Sequence, residues 1–207
     1  MIASEIITKF ELFMDDTTDL SSTEELDLLN KIYTRVCMDR PWEFLKKAFT
    51  GTTSGTLTYI SLPSDFAYLT QNANYTDSSY SASRPVIFVG SMFSPYQVVS
   101  WSDRRQYRDQ IGYCYIDIVN SRLYFTFQPE EGLAVEFDYS SVPTALTLSD
   151  TPLIPSRFHD MLYHGMCVED NIIQQSDKAK SYAQENQQKY KSYFDDMCYW
   201  NSNLIQI

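Results

Sequence analysis

Apolar residues recur at helical spacing at both ends of this 207-residue chain and at two-residue spacing through its middle. The two periods aim side chains at different faces, so such a chain cannot close as one uniform helical or β fold. Proline-bearing phrases sit at the changeovers. Leu62-Pro63-Ser64-Asp65-Phe66 lies near the start of the alternating part, and Leu153-Ile154-Pro155-Ser156-Arg157-Phe158-His159 marks the helical return. The expectation is an α+β fold, a helical bundle formed by N- and C-terminal helices with an inserted antiparallel β-barrel or sandwich-like module. Residues 1–50 supply the first helices, 51–150 the module, 151–200 the returning helices and 201–207 a tail.

Ile2, Ile6, Phe10 and Phe13 predict a short amphipathic helix. Ser22-Thr23-Glu24-Glu25 reads as a capping box opening a second, with Leu26, Leu29, Ile32, Tyr33 and Val36 on its buried face. Pro41 suits the first position of a further helix to Phe49, burying Trp42, Leu45 and Phe49. Gly51 to Gly55 reads as a flexible joint and Thr56 to Leu62 as a strand. Residues 70–84 are polar and Tyr-punctuated, the composition of a long exposed loop. Pro85 to Gly90 and Tyr96 to Ser100 read as short strands, and Ser102 to Tyr107 as a capped helical turn. The clearest hairpin pairs 112–119 with 122–127 around Asn120-Ser121, and 133–139 is expected to continue it as a meander. Helical spacing then returns over 155–175 and from Ser176 to about Trp200. Gly165 costs helix stability, about 1 kcal/mol against Ala, and permits close packing.

Residues suited to catalysis are few. His159 and His164 lie five apart, about 140° round a helix, and do not share a metal as an i, i+4 pair would. Cys167 follows His164 by three, a conceivable Cys–His nucleophile, but no motif supplies an oxyanion hole. His159 is expected to pack or hydrogen-bond. Asp15-Asp16, Glu24-Glu25, Glu130-Glu131 and Asp195-Asp196 are adjacent pairs that point apart, as solvated residues do. The six glycines form no phosphate loop, and Asp15 to Asp19 lacks EF-hand spacing. Cys37, Cys114, Cys167 and Cys198 are scattered, as in a reduced protein. We expect no enzymatic activity, no cofactor and no metal.

The net charge of −11 excludes broad binding to nucleic-acid phosphates, which requires Lys and Arg. Acidity either keeps a protein soluble or forms a wall that repels DNA. The first residues lack a basic leader with a long apolar run, and no window holds the roughly 20 apolar residues of a membrane span. A soluble, intracellular chain is expected. Sixteen Tyr and twelve Phe suit surfaces buried on assembly, or simply a β-rich module. The residues expected to meet partners are Tyr75 and Tyr80 in the long loop, Arg104 and Arg105, then Tyr182, Tyr190, Tyr193 and Trp200 on the last helix. Leu204, Ile205 and Ile207 form an apolar tip suited to docking by strand addition, or to an unordered terminus. Arg104, Arg105 and Arg108 suit a partner's carboxylates or a phosphate, or else salt links to Asp103 and Asp109.

Four phrases carry a likeness to a known family: NKIYTRVCMDRPWEFLKKAF (Asn30 to Phe49), LPSDF, RLYFTFQP with its exit EFDYSSVP, and LIPSRFHDMLYHGM leading into paired helices. In that order the chain resembles the head–tail adaptor (connector) proteins of tailed bacteriophages, including the tail-tubular-protein-A type. The resemblance implies a structural virion protein, made in the host cytoplasm and placed at the head–tail junction. It implies a homo-oligomeric ring, commonly of twelve copies, between the portal protein and a downstream tail or ring protein. DNA would pass through the lumen without sequence-specific binding, and no membrane is involved. The alternative is a ligand- or glycan-binding β-module of a phage tail or baseplate, with Tyr75, Tyr80, Tyr96 and Trp101 as stacking platforms.

Overall fold

The computed structural model describes residues 1–14, 20–70, 85–174 and 177–204. The chain divides into two units, a helical one (residues 1–45 and 142–207) and a β one (residues 46–141). The class is α+β.

Four helices share the core of the first unit: α1 (Ala3–Met14), α2 (Ser22–Met38), α3 (Asp160–Gln174) and α4 (Asp177–Leu204). Helix α3 touches each of the others. Ile6, Phe10, Leu29, Ile32, Val36, Met161, Leu162 and Met197 are closed to solvent, as helical spacing requires. The capping box of α2 falls one residue earlier than the sequence suggests. The Ser21 N–H donates to Glu24 Oε2 at 2.8 Å, and Ser21 Oγ accepts from the Glu24 N–H at 3.4 Å. Glu25 is thereby free to turn inward. Gly165 of α3 sits where a Cβ would lie 2.7 Å from Ile32 Cγ2 and 3.1 Å from the Tyr190 ring, so three helices meet over one missing methyl.

The segment leaving the β unit is clasped to α1 and α2. Asn30 accepts from the Leu146 N–H at 2.7 Å and donates to the Leu146 carbonyl at 3.0 Å. The Ala3 and Ser4 N–H groups donate to Asp150 and Leu148 carbonyls. On the α2–α3 face, Glu169 accepts from Lys31 at 2.8 Å and from Arg35. These hydrogen bonds, Lys31's foremost, hold its carboxyl below the ordinary range.

The described residues of the β unit form a mostly closed, barrel-like sheet. Its strands are β1 (Lys46–Thr52), β2 (Tyr59–Ser61), β3 (Phe66–Leu69), β4 (Val86–Val89), β5 (Ser91–Val98), β6 (Tyr113–Asp117), β7 (Arg122–Phe125) and β8 (Ala134–Ser141). They run in the order β1-β8-β4-β5-β6-β7-β2, with β3 also on β8. Ile87, Cys114, Leu123, Val135 and Phe137 fill the interior.

Several expectations are corrected here. No helix runs from Pro41 to Phe49. A 3-10 turn at Glu43–Leu45 leads straight into β1, which pairs with β8 from Lys46↔Ser140 to Thr52↔Ala134. Local helix propensity in Leu-Lys-Lys-Ala is worth tenths of a kcal/mol per residue and yields to that ladder. Phe49 stacks on Phe137 at 4.6 Å, in the β core and not the helical one. Gly51 is part of β1, and the Phe49 ring lies where its Cβ would be. Within 56–62 only Tyr59–Ser61 is strand, because residues 54–57 turn on the Ser54 carbonyl. The 113–125 hairpin forms as expected, its turn held by Asp117 accepting from the Asn120 side chain at 2.8 Å. Strand β8 does not continue that hairpin. Strand β7 already has β6 and β2 beside it, so β8 finds β1, β3 and β4. The β5–β6 pair is parallel, so the sheet is not a pure antiparallel meander.

Candidate interaction surfaces

On the β unit, cross-strand pairing brings Tyr59, Tyr124 and Tyr115 side by side on β2, β7 and β6. Alternation puts Leu123, Phe125 and Cys114 inside, leaving these tyrosines half-exposed. Tyr59 and Tyr124 lie 5.3 Å apart, Tyr124 and Tyr115 stack at 5.3 Å and 9°, and Trp101 meets Tyr115 edge-on at 5.5 Å. An arginine closes each end of the row. Arg122 lies 4.0 Å over Tyr59, and Arg104 lies 3.9 Å over Trp101. Stacked guanidinium–aromatic contacts keep such a face rigid while leaving it able to pair outward.

Arg104, Arg105 and Arg108 line a shallow hollow of about 210 Å³ with Tyr115, Phe125 and Thr126. Arg104 Nη1 donates to the Trp101 carbonyl. The following loop is latched to β7's end: the Asp109 N–H donates to the Thr126 carbonyl at 3.0 Å, and Thr126 Oγ1 donates to the Gln110 carbonyl at 2.6 Å. The expected cap on this turn is shifted, since Ser100 and not Ser102 accepts from the Asp103 N–H, at 3.1 Å. The Arg108–Asp109 ion pair is 3.7 Å long and fully solvated, so it neutralises little.

Helix α4 carries the second surface. Tyr190 fills the space at Gly165, and Tyr193 lies over His164 with ring centres 6.0 Å apart. Trp200 packs on Phe158 at 5.9 Å and on the Arg157 guanidinium at 4.8 Å. These three are half-buried against the unit's own core. Tyr182 meets Phe13 at 5.8 Å yet keeps an exposed edge, and Leu204 is exposed. Tyr199, which the sequence reading passed over, is 73% exposed. It falls off the apolar stripe, and only its place three and four residues after Asp196 and Asp195 would have marked it. Asn201 fastens this end of α4, accepting from the Glu43 N–H at 2.9 Å and donating to the Pro41 carbonyl at 3.4 Å. Tyr75, Tyr80, Ile205 and Ile207 lie outside the described residues, as do 71–84 of the loop expected over 70–84; its first residue, Thr70, is buried, its N–H donating to the Asp138 carbonyl at 3.0 Å.

The residues with chemical potential are occupied internally. His159 Nε2 donates to the Ile154 carbonyl at 2.6 Å, and His164 Nδ1 lies 2.9 Å from Asn186 Oδ1. Burial lowers both histidines. It raises the Cys37 and Cys167 thiols to about 12. All four cysteines are free thiols. Among the described residues no His, Cys, Asp or Glu group is placed to hold a metal, and no helix is long and apolar enough to cross a membrane. Tyr96 packs edge-on against Phe125 at 5.9 Å and does not join the Trp101 row. Tyr59, Tyr115 and Tyr124 take the stacking positions instead. Alternation along β2, β6 and β7 marked them as outward-facing, but not as neighbours.

Charge divides unequally. The helical unit has eighteen carboxylates against nine Lys and Arg, net −9, whereas the β unit has nine against seven, net −2. The family model for the SU10 adaptor protein matches residues 1–203. Comparison with curated proteins gives no match.

Proposed function

The chain belongs to the SU10 adaptor protein family, and from that premise we propose that it is a ring subunit joining a phage portal to the tail. A match that spans both units carries this reading, since it covers the helices and the β insertion together. Membership makes the chain a phage adaptor with a structural role in the virion. The ring, its twelvefold copy number, the portal contact, the downstream tail partner and the tail-tubular-protein-A likeness are the proposed parts.

In this reading the four helices act as a bundle that presents the subunit to its neighbours, and the β unit shares in that contact while its other exposed surfaces reach the next layer. The chain performs no bond chemistry; the internal hydrogen bonds of both histidines and the buried thiols accord with that. The concentration of charge on the helical unit suits a lumen that DNA passes without adhering, because like charge repels phosphate. A second reading, a ligand-stacking β unit, is favoured by the Trp101–Tyr115–Tyr124–Tyr59 row.

Native mass spectrometry of the chain mixed with its phage's portal ring tests the proposal. A portal-bound ring of chains supports it, and a portal ring that retains no chain rejects it. Retention of an oligosaccharide by the isolated chain, lost on Trp101→Ala, would favour the second reading.

A further inference from the structure

Two exposed surfaces of this chain are complementary to each other, and neither is complementary to itself. The first, on the β unit, holds Arg104, Arg105 and Arg108 around one hollow, with Trp101, 49% exposed, stacked under Arg104. Nowhere else in the sequence do three basic residues fall within five positions. The second is the C-terminal end of α4. From Ser192 to Leu204 it has Asp195 and Asp196 and no Lys or Arg. Both aspartates are exposed and flank Tyr199 at one and the same helical turn. No basic residue in the last turn offsets the negative end of this 28-residue helix. One surface therefore combines net positive charge with exposed apolar area; the other sets Asp195 and Asp196 beside exposed Tyr199, with Arg40 and Arg157 drawn onto the Phe194 and Trp200 rings of the same helix.

We propose that the Arg104–Arg108 surface of one copy docks on the Asp195–Tyr199 surface of a second copy. The inference rests on the ring reading above and names the side-to-side contact that such a ring requires. The contact joins two different surfaces; paired reciprocally it would close a twofold dimer, and paired once per copy it is heterologous, the kind that closes into the ring required here. The basic side is preorganised, because Arg104 is clamped over Trp101 and the loop is latched to Thr126. Arg104 therefore has little rotamer freedom left to lose on docking, whereas Arg105 and Arg108 order on contact. Arg, Trp and Tyr are also the residue types that concentrate binding energy at interfaces. Asp103 and Asp109 offset part of this charge but leave the segment net positive, three arginines against two carboxylates.

The full chain, Arg104→Glu/Arg105→Glu/Arg108→Glu and Asp195→Arg/Asp196→Arg provide the test, by sedimentation at low and high salt. The wild type should associate, more weakly as salt rises. Each charge-reversed variant should associate at least about a hundredfold more weakly, because like charges then face each other. An equimolar mixture of the two variants should restore assembly, since each supplies the surface that the other has lost. Arg105→Glu/Arg108→Glu, which leaves the Arg104–Trp101 stack intact, should show the same loss in smaller degree. Variants that associate like wild type, or a mixture that restores nothing, overturn the contact. So does a wild-type chain that stays monomeric at every soluble concentration. Portal binding is judged separately, so a portal-bound ring formed by the charge-reversed variants would remove this contact and leave the adaptor role standing.

Discussion

Replacing Glu25 with glutamine should stabilise the helical unit at pH 8 and leave it nearly unchanged at pH 5. Glu25 lies on α2 and is only 3% exposed. Burial first, then the charge and hydrogen bond of Glu11 and the charge of Asp170, push its carboxyl from 4.5 up to about 7. The folded chain thus favours the protonated acid. Stability from a raised carboxyl is fully present below its unfolded value near 4.5 and is lost as pH rises through 7. A carboxyl moved that far carries about 3 kcal/mol of pH-dependent free energy. Glutamine keeps the shape, replaces the acid's O–H donor toward Glu11 with an amide N–H, and never ionises.

Thermal melts followed by circular dichroism at 222 nm, for wild type and Glu25→Gln at pH 5, 6, 7 and 8, measure the difference. The gap should open with pH to about 2–3 kcal/mol, a rise in Tm of roughly 5–10 °C for a chain of this size. His159 and His164 act with the opposite sign. Their lowered folded values give stability that is present above 6.5 and lost as pH falls. Both proteins share that loss, so it cancels in the difference. A gap that is the same at pH 5 and pH 8 would refute the reasoning, because Glu25 would then not be titrating between them.

Gly165→Ala gains about 1 kcal/mol of helix propensity but drives a methyl into Ile32, which is fully buried. A net loss of about 1 kcal/mol is expected in urea melts, and a gain would show that α2 can shift. Phe49→Ala removes the stack on Phe137 and should cost about 2–3 kcal/mol. Hydrogen exchange should accelerate in β1 and β8 and not in α2, whereas a helix over 41–49 would give the reverse. Ile32→Asp buries a charge and should unfold the helical unit, at a cost of several kcal/mol. Leu26→Asp, at a half-buried position, should cost about 1 kcal/mol or less; equal losses in denaturant melts would contradict the burial order.

The helices were legible because each shows one apolar face over three or more turns, and Asn120-Ser121 announced its hairpin. Strand β1 was hidden, since Leu45 to Ala48 favours a helix locally and its partner lies about ninety positions away in β8. The inward turn of Glu25 was hidden too, because two adjacent glutamates look alike until one of them caps the helix. Arg104 and Arg105 stood out as basic residues in an acidic chain. The stacking row around them did not, as Tyr59, Tyr115 and Tyr124 become neighbours only through strand register. The aromatic residues of α4 were found by spacing, but spacing alone does not separate Tyr193, half-buried over a histidine, from Tyr199, open to water.

The clasp between Asn30 and Leu146 has a consequence during translation. Helices α1 and α2 leave the ribosome ahead of the β unit, yet Met161, Leu162 and Met166, which cover their apolar faces, are made more than a hundred residues later. At about 5–20 residues per second the early helices wait several seconds or longer for their core to close. The β unit, contiguous in the chain, has every one of its strands before then. It can fold while its flanks are still open, and thereby hold the two halves of the helical unit on one short tether until α3 arrives.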